Sequence, residues 1–354
     1  MSQDEYQEKR GWKKDKARKY TDEKIAERIC DLKKERVKTK IFVGNSYVQM
    51  DYDKTYSDTD IPTKWFIGET IRKAELQTKK PKKKRKNSAQ YLMFPTESIK
   101  RLGSMQQSAD FIGKKYITGQ SEPINIFSTS YYTPVKLYQI KRITAEKSTY
   151  AIQELIKLWQ TYPIPNVFRI DNGLQFRGTA RGKRCLGMFL KFLLNLGVIP
   201  IFGSPSKPWT NPHIEGHNRV FNEKVWNNNF FENVEQIDQE CERFNQESIE
   251  YFKYQYSEFI FNGKFDYLER DQKVETEKLI TVKGKKIYFA RFVESFEKET
   301  KAQIVVMNDT IEIPEKYCHQ FVFVEWNLET EQLLIYSECK KVITLIKKVK
   351  FTIN

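Results

Sequence analysis

Histidine is scarce in this chain, with three copies in 354 residues, and cysteine is sparse and scattered. The five cysteines (Cys30, Cys185, Cys241, Cys318 and Cys339) form no C-x-x-C pair. None of His213, His217 and His319 stands with them at zinc-finger spacing. This argues against a zinc-stapled or disulfide-stapled scaffold and predicts buried free thiols. No apolar run approaches the ~20 residues of a membrane span, so no membrane partner is expected. The opening residues, Met1-Ser2-Gln3-Asp4-Glu5, are polar with no apolar signal core behind them, and a cytoplasmic protein is the expectation. There is no internal repeat of solenoid type.

What is plentiful is positive charge. The net charge is +15 and the isoelectric point about 9.3, which points to a polyanionic partner, nucleic acid first. Residues 1–100 carry 26 Lys+Arg against 16 Asp+Glu, so +10 of the +15 lies in that stretch. With 39% hydrophobic and 30% charged residues the composition is that of a soluble globular protein. Its length leaves room for two or three domains.

Residues 1–78 read as a basic helical region. Thr21, Asp22 and Glu23 make a helix start, and Ile25, Ile29 and Leu32 recur at helical spacing. A second helix follows Asp60-Ile61-Pro62-Thr63, with Phe66, Ile67, Ile71 and Ala74 as its apolar side. Two short helices about a loop fit a helix-turn-helix, or an ordinary helical subdomain. Residues 79–104 form a basic linker in which Lys82, Lys83, Lys84 and Arg85 are candidate phosphate contacts. Residues 105–250 alternate: strands over 111–117, 123–130 and 134–143, a helix over 145–159, a strand over 166–170, a helix over 187–196, a strand over 198–202, then helices over 212–226 and 234–249. The order βββαβαβα predicts a mixed five-stranded sheet flanked by helices, an α/β fold. After a connector, 251–277, the short β-rich runs of 278–354 predict a small β-barrel.

The chemistry centres on acids. Asp171 follows Val167-Phe168-Arg169-Ile170, at the end of a buried strand, where ligands gather in open α/β sheets. Asp171-Asn172-Gly173 is equally a tight-turn signal. Glu215 follows Pro205, Pro208 and Pro212, which stiffen the entry to its helix; a helix-start acid favouring the dipole is the plainer reading. Asp110 is the acid on the first strand. Three carboxylates on adjacent elements suit Mg²⁺ or Mn²⁺, two ions together steadying the attacking and leaving oxygens of a phosphodiester. Arg219 and Asn222 lie further along the helix of Glu215 as candidate DNA contacts, although Arg219 also fits an i,i+4 ion pair. Lys207, in the proline-rich loop, joins the candidate DNA contacts, and His213 and His217 flank Glu215.

Asp110-Phe111-Ile112-Gly113, Asp171-Asn172-Gly173-Leu174-Gln175-Phe176 and Ser204-Pro205-Ser206-Lys207-Pro208-Trp209-Thr210-Asn211-Pro212-His213-Ile214-Glu215 together resemble the DDE transposase and retroviral-integrase superfamily, bacterial insertion-sequence transposases in particular. The resemblance covers about residues 105–250. It implies an RNase H-like integrase catalytic core, with Asp110, Asp171 and Glu215 as metal-binding triad. It implies cleavage at transposon ends, strand transfer by the freed 3′-OH, and a homo-oligomer pairing two DNA ends, nucleoid-associated when bound. The preceding helices and the β-rich tail resemble the helix-turn-helix and small barrel that often flank such a core. The gap between Asp171 and Glu215 is longer than is typical of that group, Pro212 stands where Gly is common, and Thr129-Ser130 replaces an acid often seen on the second strand. Part of the extra length is Gly178 to Arg184, in which Arg181, Lys183 and Arg184 are candidate DNA contacts. The alternatives are a catalytically inactive, domesticated DNA-binding descendant and an RNase H-like nuclease that only hydrolyses.

Overall fold

A computed structural model describes residues 23–56, 60–77, 94–133, 136–178, 182–255, 265–296 and 299–354. The chain divides into two compact units, 1–83 and 84–354. The first holds three described helices, α1 (Glu23–Thr39), α2 (Asn45–Thr55) and α3 (Lys64–Lys73). Thr63 caps α3, its side chain accepting the Phe66 N–H at 3.2 Å. Sequence periodicity missed α2. Its buried side chains, Val48, Met50 and Tyr52, are spaced by two, a strand-like period, and only packing against the other two helices makes them a helix face. The three helices share a core of Ile29, Val48, Tyr52, Ile67 and Ile71. Buried Arg36 ties α1 to α2 through a two-pronged bond to Asp51, one prong 2.8 Å long. Thr21 and the basic cluster Lys82, Lys83, Lys84 and Arg85 lie outside the described residues.

The second unit begins with the short helix α4 (Thr96–Lys100) and the antiparallel strands β1 (Gln106–Lys115), β2 (Ile124–Thr133) and β3 (Leu137–Ile143). Next come α5 (Ser148–Thr161), β4 (Val167–Ile170), α6 (Leu174–Arg177), α7 (Met188–Asn195), β5 (Ile199–Phe202), α8 (Pro212–Lys224) and α9 (Val234–Gln255). β1 begins five residues ahead of the expected start at Phe111. Gln106, Gln107 and Ser108 are polar yet buried, which hid the strand. Gln107 is satisfied inside the core: its amide donates to Thr129 Oγ1 at 2.6 Å and accepts from Trp159 Nε1 at 2.9 Å. Asp110 therefore stands in mid-strand rather than at the strand's head.

The sheet is larger than expected. Strands β6 (Lys286–Phe292), β10 (Phe321–Asn327), β11 (Gln332–Cys339) and β12 (Val342–Lys350) continue it, giving nine strands in the order β12-β11-β10-β6-β5-β4-β1-β2-β3. Strands β7 (Glu294–Phe296), β8 (Glu299–Val306) and β9 (Asp309–Ile313) form a separate antiparallel sheet. The predicted barrel is thus corrected: among the described residues none closes. The reason is β6, which pairs in parallel with β5, Ile201 opposite Tyr288 and Phe202 opposite Phe289. Residues 287–291 are buried without interruption, the signature of a strand covered on both faces. Edge strand β12 carries Lys347, Lys348 and Lys350 and is largely exposed, which discourages further pairing.

Strand alternation divides the sheet's side chains. Ala109, Phe111, Phe168 and Ile170 face a large core with Trp159 of α5 and Phe189 of α7. Val167 and Ile201 instead join Tyr288, Phe323 and Ile99 of α4. Glu338 of β11 caps α4, accepting the Ser98 N–H at 2.8 Å and the Ser98 hydroxyl at 2.7 Å. Because β6 is an interior strand, a chain cut after residue 277 loses the core residues Ile287, Phe289, Val322 and Val324 and leaves the β5 edge unpaired. We expect such a chain to lose cooperative thermal unfolding, measured by circular dichroism; retained cooperativity would show the tail to be an independent domain.

Candidate acidic site

The register of β1 on β4 builds the site. The two strands run parallel, with Ser108 opposite Arg169. Two residues on, Asp110 is therefore level with Asp171, just past the end of β4. Helix α8 brings the third acid: Pro212 occupies its first turn, where a missing N–H costs nothing, and Glu215 follows in that turn. Asp110, Asp171 and Glu215 line one cavity of about 410 Å³, with Asn172, Ser204, Lys207 and Asn211 among its other walls.

Each acid is held. Asp110 accepts the Phe111 N–H at 2.8 Å and the Asn218 amide at 2.9 Å. Asp171 accepts the Gly173 N–H at 2.8 Å, an Asx turn that aims the carboxylate. Asn172 donates to the Gly203 carbonyl at 2.7 Å, and Gly203 in turn donates to the Ile170 carbonyl at 3.0 Å. Thr210 braces the following loop through its bond to the Lys207 carbonyl at 2.8 Å.

The three charges work against one another. Asp110 is pushed up to about 7, first by burial, then by the Asp171 and Glu215 carboxylates, against the pull of its two hydrogen bonds. Burial, then Asp171, raises Glu215. Burial also raises Asp171, against its bond from Gly173; its side chain is open to the cavity, so water moderates that effect. Among the described residues no three His, Cys, Asp or Glu side chains are closed up as a ready metal cage. The donor set nevertheless fits a hard divalent cation by chemistry. The three carboxylates offer oxygen ligands alone, and the buried Oδ1 atoms of Asn211 and Asn218 have no hydrogen-bond partner.

Two residues that the sequence reading did not single out complete the site. Asn218, one turn past Glu215, holds Asp110. Arg291 of β6, 4% exposed, donates to Asn172 Oδ1 at 2.9 Å and to the carbonyls of Gly203 at 2.6 Å and Val305 at 2.7 Å. Burial, then Arg177, pulls this guanidinium down to about 9. No local signal marks Arg291, because its partners lie on segments distant in sequence.

Lys207 lines the acid cavity and lies over the Phe292 ring, 4.3 Å from its centroid. Arg219 is exposed on α8 and, among the described residues, makes no ion pair with Glu215. Asn222 is half-buried; neither it nor Arg219 lines the cavity. Lys183 and Arg184 are engaged within the protein, pairing with Asp309 at 3.0 and 2.9 Å. Arg181 lies outside the described residues. Gly178, at φ +102°, touches Gly187 so closely that a Cβ there would sit 2.4 Å from its Cα. The two ends of the extra segment therefore meet, and its length does not displace Glu215. His217 is structural: it is buried, bonds Ser128 Oγ at 2.9 Å and stacks on Tyr138. Burial holds it down to about 3, so it is neutral. His213 lines a neighbouring cavity instead.

No family model matches this chain, and no curated protein does. Among solved structures it is similar to the cryo-EM structure of the simian T-cell lymphotropic virus intasome in complex with PP2A regulatory subunit B56 gamma, at 11% identity and a TM-score of 0.33, over 89% of this chain and 95% of that chain. No helix among the described residues is long and apolar enough to cross a membrane.

Unfolded, Asp110 gives up its proton near 3.8; folded, it keeps it up to about 7. The stability this group contributes is therefore complete below about pH 4 and lost as pH rises through about 7. Asp110→Asn should raise stability at pH 8 by about 2 kcal/mol and change little at pH 4, read by urea unfolding at both values. Arg291→Met, which removes the donor to three half-buried acceptors, should cost about 1–3 kcal/mol in the same assay.

Proposed function

We propose that this protein is a DDE-type DNA transposase or integrase, cutting phosphodiesters at the ends of a mobile element and joining the freed 3′-OH to target DNA. One observation carries the reading: Asp110, Asp171 and Glu215, from β1, the end of β4 and the first turn of α8, face one cavity, where burial and then the neighbouring carboxylates raise the proton affinity of Asp110 and Glu215. Proteins keep such repulsion where a counter-charge is expected. Adjacent strands in the order β5-β4-β1-β2-β3, the last three antiparallel, support an RNase H-like core. The motifs around Asp171 and Glu215 support the superfamily.

A pair of Mg²⁺ or Mn²⁺ ions supplies, when bound, neutralisation of charge on the attacking and leaving oxygens. Asp110, Asp171 and Glu215 would hold them. Asn218 orients Asp110, and Arg291 fixes the loop of Asp171 through Asn172 and Gly203. Lys207, on the cavity wall, is placed for a phosphate of the DNA, and exposed Arg219 is a further contact. The three-helix unit, in this reading, is a helix-turn-helix that grips the DNA ends, with Lys82, Lys83, Lys84 and Arg85 as phosphate contacts and a homo-oligomer pairing two ends. The catalytically silent DNA-binding reading draws on one observation, that the acids are not closed up as a metal cage among the described residues.

The test is incubation with Mg²⁺ or Mn²⁺ and a duplex carrying the terminal repeats that flank the coding sequence. We expect nicked and joined products, and Asp171→Asn should reduce both at least 1,000-fold while leaving DNA binding unchanged. Nicking without joining would indicate a nuclease. Binding without either product would indicate the silent descendant.

A further inference from the structure

A second and larger cavity, about 880 Å³, adjoins the acidic one and shares Thr210 with it. It falls within the about 300–1,000 Å³ of small-molecule sites. Its walls are built from residues immediately beside the acids. Arg169 stands two residues before Asp171 on the same side of the chain, Gln106 four residues before Asp110 on β1, and His213 two before Glu215. At about 3.3 Å per residue the cavity lies some 7–13 Å from the acids along the strands.

Its chemistry differs from theirs. Aromatic rings dominate. The His213 ring stacks on Tyr132 at 4.4 Å and 8°. Trp209, 40% exposed, stands edge-on to Phe94 at 6.5 Å. Arg169, almost buried, donates to the Thr210 carbonyl at 2.5 Å and lies 5.9 Å from the Phe94 ring and 5.7 Å from the Tyr132 ring. Lys100 is at the rim, paired with Glu97 at 2.9 Å, and the charge of Lys136 reaches His213. Flat rings with cations beside them are the means by which proteins hold an unstacked base together with its phosphate.

We infer that this cavity takes one unpaired nucleotide of the DNA strand entering the acidic site, its base against Trp209 and the Tyr132–His213 stack and its phosphate toward Arg169 and Lys100. The inference rests on the proposed DNA chemistry for its substrate, and on the aromatic geometry for its place. The strand would be anchored beside the bond to be cut, and DNA with a frayed or overhanging end would bind more tightly than blunt DNA.

The probe is a short duplex with a two-nucleotide overhang containing 2-aminopurine, whose fluorescence falls on stacking, mixed with the full chain without divalent cations. We expect quenching of several-fold, absent with the blunt duplex carrying the same base internally. Trp209→Ala and His213→Ala should each weaken overhang binding about tenfold, and Trp209→Phe should restore most of it. Asp171→Asn should leave the quenching unchanged. Melting temperatures near that of the parent protein certify the variants as folded, and His213→Ala, an exposed position, serves if Trp209→Ala does not fold. DNA binding with no quenching, or quenching indifferent to Trp209 and His213, overturns the nucleotide pocket and leaves the acidic site standing. Quenching that persists in a protein unable to nick or join upholds the pocket and rejects the chemistry.

Discussion

The parallel pairing of β1 with β4 is the constraint on which the rest depends. A slip of one residue in that register would turn every side chain of β1 to the opposite face. Asp110 would then enter the apolar core and Phe111 the acidic cavity. Buried polar bonds hold the register. Gln107 is tied to Thr129 on β2 and to Trp159 on α5, and the Asn166 amide accepts the Met105 N–H at 3.0 Å where β1 begins. These bonds have one satisfied arrangement, and a shifted strand would leave each partner unpaired in a dry interior. The chemical face of the sheet is thus defined by a polar network on its opposite, apolar side.

The second constraint comes from the far end of the chain. β6 lies between β5 and β10, and its Arg291 reaches over to the turn after β4. Without that guanidinium the carbonyl of Gly203 and the amide of Asn172 would lose a shared donor, and the loops bearing Asp171 and the proline-rich segment would be joined by fewer bonds. Integration of the tail into the sheet makes the acidic site a product of the whole second unit. The same integration carries Asp309 to Lys183 and Arg184, so charge that reads as available in sequence is spent inside the protein.

Much of the second unit was legible from residue types. From Pro123 onward most expected strands and helices fall within a few residues of those observed, because apolar runs and proline or glycine breaks are local signals; α6 was not expected and α9 runs six residues beyond the expected end. The start of β1 was hidden by buried glutamines, and α2 by a spacing that mimics a strand. The β-rich character of the tail is local, whereas closure into a barrel depends on which strands become partners. Which strand pairs with which is decided by contacts far apart in sequence, and β6 chose β5. Asp110, Asp171 and Glu215 were found by their motifs, whereas Arg291 and the holding role of Asn218 depend on neighbours that no window contains.

By itself, the sequence determined the periodicities that make these strands and helices, the excess of positive charge, and the presence of an acid at the end of one strand, within another, and just inside a helix. Those properties belong to short stretches of chain. The tertiary structure alone decided that the three acids meet, that burial and then their proximity raise Asp110 to about 7, and that an aromatic cavity with cations beside it opens next to them. Each of these is a distance between residues far apart along the chain, set by sheet register and by the depth to which side chains are buried.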